Sequence, residues 1–356
     1  MNEEQKTPTN PEGEAEPQAV DDKSKPPHPI GEAINCLVHR ARDIKAAAMQ
    51  YMPKAQKARS EQAEKYVARI RENVPLLESS DRHVQVIAQN EVQRTIAHLN
   101  RLRRSDVPLV IAQGLFLSLF SAFDAFTGNL LRGLYQRKPV LYDALNKTIT
   151  FSDVLTATSL DELKQQVLDD EIDSFRRKSY VEQFASLAQR FEVQLIRFDN
   201  WPRFVECSQR RNLITHCDSV VTEQYLKVCK EAGYPVSDLP ALGTHVSLGP
   251  EYFLPSCELV IEVGIKLGQT LWRKTLPDEL ELAEHSLADA LYAALDLGNW
   301  PRAEMIGAYA FGLRQRSSEL DRRICIINYA QALKRSGKGD QARKVLDDVD
   351  WSAAAR

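Results

Sequence analysis

The chain lacks a cysteine framework. Its six cysteines, Cys36, Cys207, Cys217, Cys229, Cys257 and Cys325, form no C-x-x-C pair and no Cys/His spacing that would hold zinc, so reduced thiols in a cytosolic protein and no metal centre are expected. A secretory leader is not expected either, because MNEEQKTPTN carries acidic residues and proline where an export signal needs a basic start and an apolar run. Nor is there a dominant charge. With a net charge of -3 and a pI near 6.2, no global basic field exists, and any nucleic-acid contact has to come from local patches. His39, His83, His98, His245 and His285 show no ligand spacing and are read as structural or surface residues.

What is present is ordinary globular material. With 356 residues, 43% hydrophobic and 27% charged, the chain is long enough for two or three domains with sizeable cores. Residues 1–30 are rich in Pro, Glu, Asp, Lys and Gln and nearly devoid of large apolar side chains, so they are expected to be a disordered tail. Residues 31–106 then thread charged residues between Ile34, Leu37, Val38, Ile44, Tyr66, Ile70, Val86, Ile87, Ile96 and Leu99. That periodicity predicts an N-terminal extension of two or three long amphipathic helices, paired as a hairpin.

Residues 108–135 (PLVIAQGLFLSLFSAFDAFTGNLLRGLY) are apolar on nearly every side, as a helix at the centre of a bundle is. A membrane span is the rival reading, against which Gln113, Ser118, Ser121 and Asp124 interrupt the run. Gly114, Ser118, Ser121, Ala125 and Gly128 recur at helical spacing, a stripe of small residues that a second helix could approach closely, with Asp124 beside it. Further helices are predicted at 159–173, 178–191, 203–217 and 255–272, which together give a helical domain over residues 107–275. From residue 277 to 356 the texture changes. Gly298 to Ala303 and Gly337 to Ala342, 39 residues apart, each follow an Ala- and Leu-rich helix and open another. That arrangement resembles tetratricopeptide-type hairpins, although the period is longer than their roughly 34. The fold class expected is all-α.

The most pointed chemistry lies in WPRFVECSQRRNLITHCDSVVTEQYL. At about 100° per residue, Ser208, Thr215 and His216 fall within about 60° of Asn212, with Arg211 about 100° to one side. Leu213, Ile214, Cys207 and Cys217 take the opposite side, with Arg210 among them, so Arg211 is the better functional candidate of the two arginines. Arg211 and His216 are about 140° apart and flank a groove rather than meeting. Two such helices across a two-fold axis would surround one cleft with two Arg and two His. Without a metal cluster or a protein nucleophile, the reaction open to this pair is phosphodiester transfer within RNA, where the substrate's own 2′-hydroxyl attacks. Histidine can move protons on the 2′-hydroxyl or the leaving 5′-oxygen. Arginine forks onto phosphate oxygens and stabilises the extra charge of the transition state. Asn212 is placed to orient the imidazole or touch the phosphate.

The segment R-N-L-I-T-H, with the arginine before it and V-V-x-x-x-Y-L after it, resembles the Arg-x4-His motif of HEPN-domain ribonucleases. S-A-F-D on the upstream core helix is similar to that family's first helix, where an acid, here Asp124, lies near the Arg. The resemblance covers residues 107–275, roughly half the chain. It implies a HEPN-like helical bundle and a homodimeric, metal-independent endoribonuclease that needs no cofactor and leaves a 2′,3′-cyclic phosphate. Such enzymes are common in bacterial toxin and antiphage defence systems. The expected catalytic residues are Arg211, His216, Asn212 and Asp124, the expected partners RNA, a second copy and a protein on the C-terminal hairpins, the expected location the cytoplasm and not a membrane. A non-catalytic adaptor that dimerises through the same domain is the alternative, and a membrane-associated regulator built on residues 108–131 the third reading. Of the basic clusters Arg101–Arg103–Arg104, Arg176–Arg177–Lys178 and Arg322–Arg323, one or two could guide an RNA backbone to the cleft.

Overall fold

A computed structural model describes residues 27–145, 148–315 and 317–352. The expected tail over residues 1–30 lies largely outside the described residues. Its last part does not, for a helix starts at Pro29 and His28 caps it, the imidazole accepting from the Ile30 amide and stacking on Trp272 at 4.1 Å. The described chain is all-α, as the periodicity predicts. Its helices are α1 (Pro29–Asn73), α2 (Arg82–Arg104), α3 (Val107–Arg137), α4 (Phe151–Thr156), α5 (Leu160–Arg176), α6 (Tyr180–Phe191) and α7 (Trp201–His216). After these come α8 (Glu223–Glu231), α9 (Pro250–Thr275), α10 (Leu280–Asp296), α11 (Trp300–Gly312), α12 (Glu319–Arg335) and α13 (Gly339–Asp347). Extended pairing among the described residues is one antiparallel bridge, Val220 with His245.

The core forms around α3. Phe116, Phe120, Phe123 and Phe126 recur every three to four residues, are almost fully buried, and meet Tyr180, Phe204 and Phe253 from α6, α7 and α9. Burying each such ring contributes roughly 1.5–3 kcal/mol. The ring centroids of Phe123 and Phe204 are 5.3 Å apart, which fixes α7 against α3. α3 is therefore a bundle helix. A window within residues 82–137 is nevertheless long and apolar enough to cross a membrane by length and composition, and Val107, Leu109 and Val110 at the start of α3 are exposed.

The first half of α1 does not stand apart as an extension. It buries Ile30, Ala33, Ile34, Leu37 and Ala41 between α3 and α9, and close approach is built in. A Cβ on Gly264 would lie 2.1 Å from Leu37 and one on Gly268 2.7 Å from Ile34, so α9 presents two bare positions to α1. Only the distal part of α1, from about Arg59, pairs with α2 as the expected hairpin, with Tyr66 against His98 and Arg69 on Glu91. Among the described residues after 277 two helical hairpins follow, α10/α11 and α12/α13, turning on Gly298 and Gly337 at positive φ. They are bolted to the bundle by Glu258 of α9, which takes a fork from Arg302 (2.9 Å to each oxygen) and Lys45 of α1 at 2.6 Å.

Candidate active site

α7 begins with Pro202 in its first turn and ends at His216, and its two polar faces have different fates. On the inward face Glu206 is fully buried. One of its carboxylate oxygens accepts from Arg210 Nε at 2.8 Å and from the Tyr225 hydroxyl at 2.6 Å, and the other from the Tyr252 hydroxyl at 2.6 Å. Arg210 also donates to the Ser247 carbonyl at 2.7 Å and lies 3.6 Å over the Tyr252 ring. Every strong group in this set has a partner, so it locks α7, α8 and α9 together and has nothing left to offer a ligand. Burial also pushes the neighbouring Cys207 thiol up to about 12, which removes it as a nucleophile.

The outward face opens on a cleft of about 420 Å³ between α3, α5, α6, α7 and α8. Arg211, Asn212 and His216 line it, and so does Asp124 from α3, 87 residues before Arg211 (211 minus 124). All four expected site residues are brought to one concavity. Arg211 donates to the Asn212 side-chain oxygen at 3.1 Å and has no ion-pair partner among the described residues. Asp124 is half-buried beneath it. Its carboxylate accepts from the Tyr180 hydroxyl at 2.7 Å, while its backbone carbonyl accepts from Arg176 Nε at 3.0 Å. Burial raises the Asp124 carboxyl above the ordinary carboxylate range, against the opposing pull of Tyr180, Arg211 and Arg176.

Two neighbours expected on the site face are not there. Ser208 is buried and donates to the Val205 carbonyl at 2.7 Å, and Thr215 is exposed, donating to the Arg211 carbonyl at 2.8 Å. Cys217, placed on the core side by a regular 100° step, packs against the small cluster of Leu213, Val221, Tyr225, Cys229 and Val246 and, just past the helix end, also lines the cleft. The two residues after it, Asp218 and Ser219, are left-handed at φ 48° and 64°, a conformation costing about 1 kcal/mol or more for residues other than glycine. The turn is held by Gln113 of α3 donating to the Ser219 hydroxyl at 3.0 Å and by the Ser219 amide donating to the Leu213 carbonyl at 3.0 Å. His216 thus sits on the last helical residue before a pinned reversal.

The small-residue stripe of α3 divides in two. A Cβ on Gly128 would fall 2.0 Å from Arg176, so this glycine makes room for that guanidinium at the cleft wall. Gly114, Ser118 and Ser121 face solvent, with open space where a Gly114 side chain would be. Residues that the sequence did not single out also line the cleft, notably Tyr180 and Gln183 of α6. Their signal was indirect: Ser179 and Glu182 form a capping box that starts α6 immediately after Arg176–Arg177–Lys178 and turns those cations and Tyr180 toward α7. A second cavity of about 470 Å³ behind α6 and α8 is walled mainly by apolar side chains such as Val181, Ala188, Trp201 and Val228, with Arg197 and Glu231 also on its lining. Comparison of the chain with protein-family models, with curated proteins and with solved structures finds no match.

Proposed function

We propose that the chain is an endoribonuclease of HEPN type that cleaves RNA by transfer of the phosphodiester to the adjacent 2′-hydroxyl. The observation that carries this reading is the convergence of Arg211, Asn212, His216 and Asp124, from two helices distant in sequence, on one solvent-open cleft. In this reading the His216 imidazole moves the proton of the 2′-hydroxyl or of the leaving 5′-oxygen. The Arg211 guanidinium, which has donors to spare, binds the non-bridging phosphate oxygens and stabilises their growing charge. Asn212 fixes one edge of that guanidinium. Asp124, held by Tyr180 on the same cleft, supplies an acid whose charge acts on Arg211 without bonding it. The four protein groups supply positioning, charge and proton transfer, and the nucleophile belongs to the substrate.

Two copies sharing the cleft fit the same reading, since an isologous pair would add a second Arg and His to each linkage. The uncovered side of α3, with Val107, Val110, Gly114, Ser118 and Ser121 facing solvent, supports it as a surface on which a second copy could seat. Purified protein incubated with total RNA in EDTA is expected to generate fragments, and the His216→Ala form is not. Equal degradation by both forms contradicts the reading. Intact RNA with a stable dimer favours the adaptor alternative, in which the cleft is vestigial and the α10–α13 hairpins bind a protein.

A further inference from the structure

The wall of the cleft opposite α7 is made by the α5–α6 junction, and two independent features of it are unspent. The first is charge. Arg177 and Lys178 are exposed, line the cleft, and form no ion pair among the described residues. Glu182, the acid at the start of α6, is committed to the capping box, accepting from the Ser179 amide and hydroxyl at 2.8 Å each. In a chain of net charge -3 these are cations left free at a concave site. The second feature is an orphan acceptor. Gln183 is only 2% exposed, and its amide nitrogen donates to the Lys178 carbonyl at 3.0 Å. A carbonyl can only accept, so that bond assigns the nitrogen and leaves Gln183 Oε1 as the other end, buried at the cleft wall with no partner. An unsatisfied buried acceptor costs about 1–3 kcal/mol and calls for a donor.

We propose that Arg177, Lys178 and Gln183 form a second nucleotide subsite, which binds the residue adjacent to the scissile linkage of an unpaired RNA strand. Arg177 and Lys178 hold its phosphate, and Gln183 Oε1 accepts a hydrogen bond from its ribose 2′-hydroxyl or from a base N–H. This rests on the ribonuclease reading and adds what that reading omits, namely how the strand is laid across the cleft. The cleft's volume of about 420 Å³ suits one or two nucleotide units and excludes a duplex.

The test is equilibrium binding of a fluorescein-labelled single-stranded RNA to the uncleaving His216→Ala protein, measured across salt concentrations. Added to that background, Arg177→Gln with Lys178→Gln is expected to flatten the slope of log K against log salt by about 1.4, at about 0.7 per lost contact on a single strand. Both side chains are exposed, so the fold is unaffected. Gln183→Met, close in volume, is expected to weaken binding roughly three- to tenfold, the worth of one hydrogen bond. If that penalty disappears on DNA of the same sequence, the donor is the 2′-hydroxyl, and if it persists, the donor is a base N–H. An unchanged salt slope in the charge variant, or equal affinity of Gln183→Met on every probe, overturns the subsite. Cleavage by the wild-type chain is read separately. Cleavage with unchanged binding removes the subsite and leaves the ribonuclease, whereas no cleavage with the expected slope change removes the ribonuclease and leaves a strand-binding subsite.

Discussion

Arg210 and Arg211 are neighbours on one helix and have opposite circumstances. Arg210 is buried, with its donors shared between Glu206 and the Ser247 carbonyl and its flat face on Tyr252. Arg211 is half-exposed, holds one contact to Asn212, and points into a cleft among other unpaired cations. The difference teaches how to separate fold from function on a single helix. A polar group whose bonds are all made inside the protein maintains the structure, and one that keeps donors free at a concave surface is available for a ligand. The contrast can be attacked from both sides.

The largest stability effect should come from the saturated side. Glu206→Ala strands a buried guanidinium and two buried hydroxyls at once, and should cost about 3–5 kcal/mol, read as a large drop in the denaturant midpoint. A loss under 1 kcal/mol would mean the network is not what holds α7. The opposite profile is expected of Arg211→Ala: stability within about 0.5 kcal/mol of the parent but RNA cleavage slower by about 10²–10³-fold, the cost of removing a transition-state donor. Should Arg211→Ala unfold the chain instead, the two arginines would not differ as described.

Next in size is the open face of α3. Gly114→Glu meets no atom within 4 Å in a single chain, so it should leave the monomer folded, or slightly more helical, while light scattering reports loss of a dimer. A dimer that survives this change would place the second copy elsewhere. The smallest effect concerns Asp124. Its carboxyl is raised by burial, so the native state binds a proton more readily than the unfolded chain, and wild-type stability declines as pH rises from the ordinary carboxylate value of 3.8 through the raised one. Asp124→Asn lacks that penalty and still accepts from Tyr180. Its thermal midpoint should match the wild type in acid and exceed it at neutral pH, and the reverse order would mean that the pull of Tyr180 and the nearby arginines outweighs burial.

Much of this was legible beforehand where periodicity carries the signal. The all-α class, the central α3 and the separation of Arg210 from Arg211 follow from the 3.6-residue repeat, and the hairpins on Gly298 and Gly337 from two Gly-x4-Ala turns 39 residues apart. Asp124, Arg211, Asn212 and His216 could be named, but nothing local says that α3 and α7 cross at the height that brings them together. That is set by rings such as Phe123 and Phe204 interlocking. Other misreadings also have physical causes. The first half of α1 looked like an extension because amphipathic helices read alike whether they pack on a partner hairpin or on a bundle, and the bare Gly264 and Gly268 positions that receive it lie more than 200 residues away. His28 was lost in a polar, Pro-rich stretch although it caps α1 and stacks on Trp272. Ser208 was assigned to the site face by an ideal helical step, which does not know the serine's backbone bond or its burial. The capping box could place Gln183 near the cleft, but its orphaned acceptor had no signal in sequence, because it exists only once its surroundings are folded.

The account stands on the substrate's 2′-hydroxyl being the nucleophile while Arg211 and His216 serve it. Mass spectrometry of the ends produced when the wild-type chain cuts a defined oligoribonucleotide in EDTA reads this directly. The expected products carry a 2′,3′-cyclic phosphate on one fragment and a 5′-hydroxyl on the other. A 5′-phosphate with a 3′-hydroxyl would show attack by water at the other bond, and would contradict it.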